Sequence, residues 1–392
     1  MTTNARLAKV YRKTARTVAE GGDLMEGMVS ASNTLTTTID ALRGLADAAD
    51  IPSPTPWRRL NAWAAFTGTW DVATTLHKLA DRLDPVRLPV GYLTIHPARH
   101  NLIDLATKVV VTSSAGKDSV VMEDVVCTDA ADLDQLDKVI VVHNDLGTTD
   151  SGEPVEWPGT QELAREQAAR YGVRFEITKR DKGGLFQQLT KERKKFPSSS
   201  ARWCTSDQKT SQGMKVVTRL VEEAREANGD EHVIIVYCVG LRAQESHSRA
   251  AKPEFSIDRS ASNGRRTVIR WHPILRWSQR QVWQHIRDRN LAYHWAYDAG
   301  MDRLSCRLCV LATPSDLLCA ARLSERLVED YVAAEAEITH TFQQGLSIAD
   351  IQAQAQKAGP IEKADIIPGA AIERHLADDQ PEHPEQLTIC AA

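Results

Sequence analysis

A short polar run of serine, glycine, lysine and aspartate separates two apolar segments. The residues VVVTSSAGKDSVVMEDVV extend from Val109 to Val126. The valines before the break are typical of a buried strand, and those after it have the period of a helix. A glycine at such a strand-to-helix turn lets the main chain approach a ligand closely. The free N–H groups at the start of the helix favour an anion, most often phosphate. The pattern therefore predicts a phosphate-binding turn.

The spacing of the polar residues selects among known phosphate loops. A Walker A loop would have glycine where Val111 stands, and the dinucleotide fingerprint would have further glycines. The order Ser-x-Gly-x-Asp-Ser instead resembles the signature of the PP-loop ATP pyrophosphatases. This resemblance implies a phosphate-binding set of Ser113, Ser114, Gly116, Lys117, Asp118 and Ser119. It also implies that Lys117 and Asp118 are catalytic, with Asp118 helping to place Mg²⁺.

Five later stretches resemble one branch of that superfamily, the phosphoadenosine phosphosulfate (PAPS) reductase family. In chain order they are HNDLG…EWPGT (143–160), ARWCTSDQK (201–209), GLRAQESHSR (240–249), HPILRWSQRQVWQHI (272–286) and YDAGMDRLSCRLC (297–309). The resemblance spans roughly residues 108 to 312. It implies that the nucleotide is also contacted by Asp145, Arg242, Glu245 and Arg249, with Arg242 neutralising charge that develops during the reaction.

One departure from the reductases bears on the reaction. Reductases that cleave PAPS without ATP have typically lost the Asp-Ser of the loop, whereas Asp118 and Ser119 are present here. The resemblance therefore favours an enzyme that cleaves ATP between the α and β phosphates and activates an acceptor for sulfur transfer. Two alternatives remain open. The first is a PAPS or adenylyl-sulfate reductase that releases sulfite. The second is a non-catalytic module that senses nucleotide or binds nucleic acid.

Cysteines form a second group of candidate functional residues. Cys306 and Cys309 have the C-x-x-C spacing that zinc and iron–sulfur sites share. Cys204 lies in the family-like segment 201–209, and Cys319 is the nearest candidate for a fourth ligand. A 4Fe-4S iron–sulfur cluster, a zinc ion and reduced thiols without metal are the alternatives at this point. A sulfur donor protein or thioredoxin is the corresponding partner.

A basic stretch between residues 179 and 203 could receive a polyanion. It contains eight lysines and arginines against Asp181 and Glu192. A solvated helix face is one interpretation, and a positive surface for nucleic acid or for a second phosphate is the other. Three aromatic residues of this stretch could stack on bases or pack in the core: Phe186, Phe196 and Trp203.

The elements that must position these residues alternate between strand and helix from about residue 105 onward. This alternation predicts an α/β fold with a mostly parallel sheet, and the family resemblance implies a PP-loop fold of the HUP, Rossmann-like, type. We expect a helical N-terminal region over residues 1–100, the PP-loop domain over 101–315, and a helical C-terminal extension and tail over 316–392. The end of the chain after Gly359, with several prolines and acidic residues, is expected to be loosely ordered.

Bulk properties limit the class of protein. The chain has 392 residues, 42% hydrophobic and 26% charged residues, and a net charge of −4, as is ordinary for a globular protein without an obligate nucleic-acid partner. The first residues lack the apolar core of a secretory signal, and no apolar run is long enough for a membrane span. A cytoplasmic protein that contacts no membrane is therefore expected.

Overall fold

A computed structural model describes residues 99–229 and 231–377. The helices predicted before residue 99 lie outside the described residues. The described residues belong to two compact units. The smaller unit contains helix α1 (Arg99–Leu105) and the short strand β5 (Phe255–Ile257). The larger unit contains all the other elements described below.

A parallel sheet forms the centre of the larger unit. Its strands lie in the order β3-β2-β1-β4-β6, and each neighbouring pair is parallel. This arrangement confirms the predicted α/β fold. The strand bounds are β1 Lys108–Ser113, β2 Val139–Asp145, β3 Arg174–Lys179, β4 Val233–Cys238 and β6 Arg266–Trp271.

The first strand is apolar because helices and neighbouring strands cover it on every side. Val109, Val110 and Val111 are all fully buried, as expected for a central strand of a parallel sheet. Helix α6 (Ser211–Asn228) covers part of this sheet through Val217 and Leu220, which are also fully buried. The core therefore lies directly beneath the strand ends that carry the candidate site.

The remaining helices connect the strands or follow the sheet. The helices between residues 117 and 288 are α2 Lys117–Asp132, α3 Thr160–Ala169, α4 Leu185–Gln187, α5 Trp203–Thr205, α6 Ser211–Asn228, α7 His247–Ala250 and α8 Gln279–Asp288. The short helices α4 and α5 continue as π-helical turns over Gln188–Arg193 and Ser206–Thr210. Across the described ranges, no helix is long and apolar enough to cross a membrane.

Four helices follow after residue 313. They are α9 Pro314–Arg322, α10 Glu325–Ile338, α11 Ile348–Ala358 and α12 Ala370–Leu376. The expectation of a loosely ordered chain after Gly359 is wrong as far as Leu376, because α12 packs on the larger unit. Arg374 donates hydrogen bonds to the carbonyl oxygens of Tyr297 and Met301.

The strand order contains one reversal that positions the site. From β1 the chain builds outward through β2 to β3 and then returns to the other side of β1 as β4. In such sheets, ligands bind beyond the carboxyl ends of the strands at this switch point. The polar turn after β1 and the turn after β4 therefore meet at one crevice.

Candidate functional site

The turn after β1 is held by its own serines. The Ser119 hydroxyl donates to the carbonyl oxygen of Gly116 at 2.9 Å and accepts from the Ser114 amide at 3.3 Å. The Ser113 hydroxyl accepts from the amide of Ala115. Ala115 has a φ of +53°, a left-handed conformation that costs a non-glycine residue about 1 kcal/mol or more. The packed surroundings thus maintain a strained turn where the predicted phosphate loop lies.

Gly116 lies where a side chain has little space. A Cβ at this position would stand 3.2 Å from the Tyr297 hydroxyl oxygen and 3.3 Å from Ser114 Oγ. The same tyrosine hydroxyl accepts a hydrogen bond from the Lys117 amide at 2.9 Å. Tyr297 is fully buried and comes from a segment 180 residues further along the chain. The loop is therefore closed on one side by the segment around Tyr297.

Asp118 forms ion pairs with two buried cations. Its Oδ1 accepts from Arg242 Nε at 2.6 Å, and its Oδ2 lies 3.2 Å from Lys117 Nζ. Burial opposes ionisation, but these two cations outweigh it and lower the pKa of Asp118 below its usual value. Lys117 and Arg242 are each 3% exposed. Two positive charges against one negative charge leave a net positive charge behind the loop.

The segment after β4 carries the second half of the predicted set. The Arg242 amide donates to Glu245 Oε2 at 2.8 Å, and Glu245 forms an ion pair with Arg249. A Cβ on Gly240 would stand 3.0 Å from the Asp118 carbonyl oxygen. The two turns therefore touch, and Arg242, Glu245 and Arg249 lie close to the turn after β1. Their contact with a nucleotide stays a prediction.

A cavity of about 150 Å³, here called the loop cavity, lies over the turn. It is lined by Ser114, Gly116, Asp118, Ser119, Glu156, Thr160, Lys209, Gly240, Glu245, Arg249, Tyr297, Arg303, Leu304 and Ser305. Three cations thus face it: Lys209, Arg249 and Arg303. Lys117 and Arg242 do not line it. Lys117 and Arg242, the predicted catalytic cations, are buried and paired with Asp118. Lys209 and Arg303 line the cavity in their place.

Two further cavities adjoin the loop cavity. One of about 250 Å³, the switch-point cavity, lies between the ends of β1 and β4. It shares five lining residues with the loop cavity: Ser114, Ser119, Glu156, Lys209 and Gly240. The other, of about 630 Å³, the edge cavity, lies beyond the ends of β2 and β3. Asp145 lines the edge cavity, and its Oδ1 accepts from the Gly147 amide at 2.8 Å. Asp145 thus lies beside the loop cavity and not in its lining.

Three of the four candidate cysteines are neighbours. Charge interactions link Cys204 to Cys306 and Cys309. A hydrogen bond from the Cys306 thiol lowers the pKa of Cys309 and raises that of Cys306. Two cations that line the loop cavity also interact with these thiols. The charge of Lys209 lowers the pKa of Cys204 and Cys306, and the charge of Arg303 lowers the pKa of Cys309. The three thiols therefore lie near the loop cavity defined above.

Cys319 has different surroundings. Its thiol donates to the Ala299 carbonyl oxygen at 3.3 Å, and burial and the charge of Asp316 raise its pKa to about 11. Within residues 99–229 and 231–377, no group of three or more Cys, His, Asp or Glu side chains has an arrangement that could hold a metal ion. The four predicted ligands therefore do not fit an iron–sulfur cluster or zinc in this structure, and we derive no chemistry through either.

The basic stretch 179–203 is partly neutralised by ion pairs. Arg180 pairs with Glu192 at 2.7 Å and Arg193 with Asp207 at 2.6 Å. The three aromatic residues of the stretch are buried: Phe186 (5% exposed), Phe196 (3%) and Trp203 (6%). They pack in the core and are not free to stack on bases. Nucleic-acid binding by the remaining exposed lysines and arginines stays a prediction.

Four residues of the site could not be predicted individually from the sequence. Tyr297 and Arg303 lie in the family-like segment 297–309, but nothing in the spacing showed that they reach the loop. His143 lies near the end of β2, and Glu156 lies between β2 and α3. His143 Nδ1 donates to the Ser113 carbonyl oxygen at 3.1 Å, and its Nε2 lies 3.2 Å from Glu156 Oε2.

Two curated proteins are similar to part of this chain. The chain is 31% identical over 157 residues to an uncharacterized 37.8 kDa protein of Escherichia phage 186, which covers 40% of this chain and 43% of that protein. It is 28% identical over 205 residues to an uncharacterized protein of Methanocaldococcus jannaschii, covering 51% of this chain and 36% of that protein. The chain thus spans less than half the length of these curated relatives.

A solved structure and a family model were also matched. The crystal structure of phosphoadenylyl-sulfate (PAPS) reductase from Candida auris, a phosphate complex, aligns with 54% of this chain and 88% of its own. The sequence identity is 17% and the TM-score 0.33. The family model described as the phosphoadenosine phosphosulfate reductase domain matches residues 108–312, more than half of the chain. The chain therefore belongs to the phosphoadenosine phosphosulfate reductase family of the PP-loop superfamily.

Proposed function

We propose that this protein cleaves ATP between the α and β phosphates, releases pyrophosphate and thereby activates an acceptor for sulfur transfer. The observation that carries the proposal is the complete Asp118-Ser119 pair of the loop. Asp118 is held ionised between Lys117 and Arg242. Ser119 ties the turn together through its hydroxyl. An enzyme that never expels pyrophosphate has no evident need for this arrangement.

The loop offers the groups that polyphosphate requires. The first amides of a helix have no main-chain acceptor within the helix, and the helix dipole adds positive potential at this end. Helix α2 begins at Lys117, so the amides of Asp118 and Ser119 belong to this first turn. Lys209, Arg249 and Arg303 line the loop cavity above it. Together they would hold the phosphates of ATP, which enters as its Mg²⁺ complex.

The reaction follows from the placement of charge. The acceptor attacks the α phosphorus, the bond between this phosphorus and the α,β-bridging oxygen breaks, and pyrophosphate leaves with additional negative charge. Fixed cations in a water-poor site stabilise such developing charge without reorganisation. Lys117 and Arg242 act from behind the loop by keeping its net charge positive, whereas Lys209, Arg249 and Arg303 act from the cavity. Asp118 as a ligand of Mg²⁺ remains a further prediction.

The sulfur step uses the adenylated acceptor. A sulfur nucleophile displaces AMP from it, so that oxygen leaves with the nucleotide and sulfur takes its place. Cys204, Cys306 and Cys309 are the thiols beside the nucleotide-binding region. We propose them as carriers of this sulfur, with a sulfur donor protein or a thioredoxin-like reductant as partner.

Pyrophosphate release from ATP tests the proposed function. We expect the full chain to form AMP and pyrophosphate in equal amounts from ATP and Mg²⁺, and Asp118→Ala to abolish this. Asp137→Ala is the matched control, because Asp137 is exposed and its side chain lies outside the site. Absence of AMP under anaerobic and aerobic conditions, with sulfide, thiosulfate or water as acceptor, would contradict the proposal.

Reduction of PAPS is the second candidate function, and the matched family model favours it. It predicts sulfite formation from PAPS with reduced thioredoxin, with no requirement for ATP. The two functions separate in one experiment: sulfite from PAPS without ATP supports the reductase, and AMP with pyrophosphate from ATP supports the ATP pyrophosphatase.

A further inference from the structure

One carboxylate stands where the three cavities of the site meet. Of the described residues that line the loop, switch-point and edge cavities, Glu156 alone lines all three. Its side chain is 14% exposed. Glu156 therefore borders the loop cavity and also each of the two outer cavities from which an acceptor could enter.

Hydrogen bonds leave one oxygen of this carboxylate for a ligand. Glu156 Oε2 accepts from the Leu146 amide and contacts His143 Nε2, both at 3.2 Å. Among residues 99–229 and 231–377, no hydrogen-bond partner is recorded for Oε1. Glu156 is also not a buried unsatisfied group. Its Oε1 is therefore available on the cavity side.

The hydrogen-bond pattern of His143 determines where protons lie. Its Nδ1 is 3.1 Å from the Ser113 carbonyl oxygen, which can only accept, so Nδ1 carries a proton. A carboxylate oxygen also only accepts. A second proton must therefore lie between His143 Nε2 and Glu156 Oε2. The Leu146 amide donates to the same Oε2 and favours the carboxylate form of Glu156. The pair is therefore an imidazolium beside a carboxylate.

Charges around the pair support this assignment. Burial lowers the pKa of His143, but the hydrogen bond and the charge of Glu156 outweigh it and raise the pKa overall. Lys209, from the turn that precedes α6, acts in the opposite direction. The other ionisable groups that line the same cavities are Asp118, Asp145, Glu162, Lys179, Arg180, Asp181, Glu245, Arg249, Arg270, Tyr237, Tyr297 and Arg303.

We propose that Glu156 is a catalytic residue that takes the proton from the attacking acceptor, with His143 as its positioning residue. This inference rests on the proposed function. The acceptor X–H forms its bond to the α phosphorus, its proton moves to Glu156 Oε1, and the electron pair of the broken P–O bond leaves with pyrophosphate. His143 holds the Glu156 side chain in place through the contact of Nε2 with Oε2. The acceptor class is therefore a hydroxyl, or an amide that attacks through its oxygen, that must lose a proton, and not a carboxylate.

The test compares Glu156→Gln with wild type and with Glu166→Gln. Glu166 lies on the exposed side of α3 and provides the same chemical change outside the site. ATP labelled at the α phosphate is converted to AMP with water as the nucleophile, and binding of α,β-methylene ATP is measured by calorimetry. We expect the rate of AMP formation to fall about 10²- to 10⁴-fold in Glu156→Gln. The Kd of the analogue should change less than about threefold, and the control should match wild type.

A spectroscopic readout separates the catalytic role from a structural one. In ¹⁵N NMR at pH 6, below the ordinary pKa of histidine, both ring nitrogens of His143 should be protonated in wild type, and the ring should titrate at lower pH in Glu156→Gln. AMP formation by Glu156→Gln at the wild-type rate, or an unprotonated Nε2 in wild type at pH 6, would overturn the inference. Binding of the analogue without AMP formation by wild type would instead contradict the proposed function itself.

Discussion

Replacing Asp118 with asparagine should weaken the fold and strengthen nucleotide binding. Asparagine keeps the shape of the side chain but removes the negative charge that lies 2.6 Å from Arg242 Nε and 3.2 Å from Lys117 Nζ. Both cations are 3% exposed and would lose their anion. Removing one partner of a buried ion pair costs about 3–5 kcal/mol. The net charge behind the loop would rise from one to two positive charges.

Bound ATP supplies the missing negative charge. If its phosphates recover about 3 kcal/mol of the lost stability, linkage requires ATP to bind about 100-fold more tightly to Asp118→Asn than to wild type. Without Mg²⁺ this gain should be largest, because the metal neutralises part of the phosphate charge. AMP formation should nevertheless fall, since the charge arrangement during pyrophosphate departure is changed.

Two measurements test this reasoning together. Urea unfolding of the protein without ligand gives the free energy of unfolding, and calorimetry with α,β-methylene ATP in the presence of EDTA gives the Kd. We expect a loss of about 3–5 kcal/mol in the first and a lower Kd in the second. An Asp118→Asn protein as stable as wild type, or one that binds the analogue more weakly, would refute the electrostatic account of the loop.

Three further substitutions have defined outcomes. Tyr297→Phe leaves the Lys117 amide without its acceptor and should lower the free energy of urea unfolding by about 1–3 kcal/mol. Gly240→Ala places a Cβ 3.0 Å from the main chain at the start of α2 and should weaken binding of α,β-methylene ATP in calorimetry, whereas Gly264→Ala meets open space and should not. Burial, with a neighbouring carboxylate, raises the pKa of Glu123 to about 8. Its contribution to stability is complete below about pH 4.5 and is lost as the pH rises from there through about 8. Glu123→Gln should therefore show a smaller fall in Tm between pH 5 and 8, and an equal fall would contradict the assignment.

The central strands and the turn after β1 could be predicted because their signals are local. The valines before Ser113 are continuous because the strand is covered on all sides, and Gly116 stands at a turn with little space for a side chain. Strand β6 was not predicted, because Arg266 and Arg270 interrupt its apolar residues. Helix α12 was missed since its stability comes from packing against residues near Tyr297, which no local pattern shows.

The roles of individual site residues could be predicted less well. Lys117 and Arg242 were expected to face the phosphates, but both are buried behind Asp118. Lys209 and Arg303, which line the cavity, come from segments about 90 and 190 residues after the loop. Their approach depends on how the chain returns from β3 to β4 and beyond. Such long-range contacts are set by the topology of the sheet and not by the spacing within a motif.

The most direct test of the central claim is calorimetry of α,β-methylene ATP with the full chain and with Gly116→Val. The claim is that the phosphates of an adenine nucleotide bind at the turn between β1 and α2. We predict saturable binding at one site for wild type and its loss in Gly116→Val, with the fold retained by circular dichroism. No heat of binding with wild type, or undiminished binding by folded Gly116→Val, would contradict the claim.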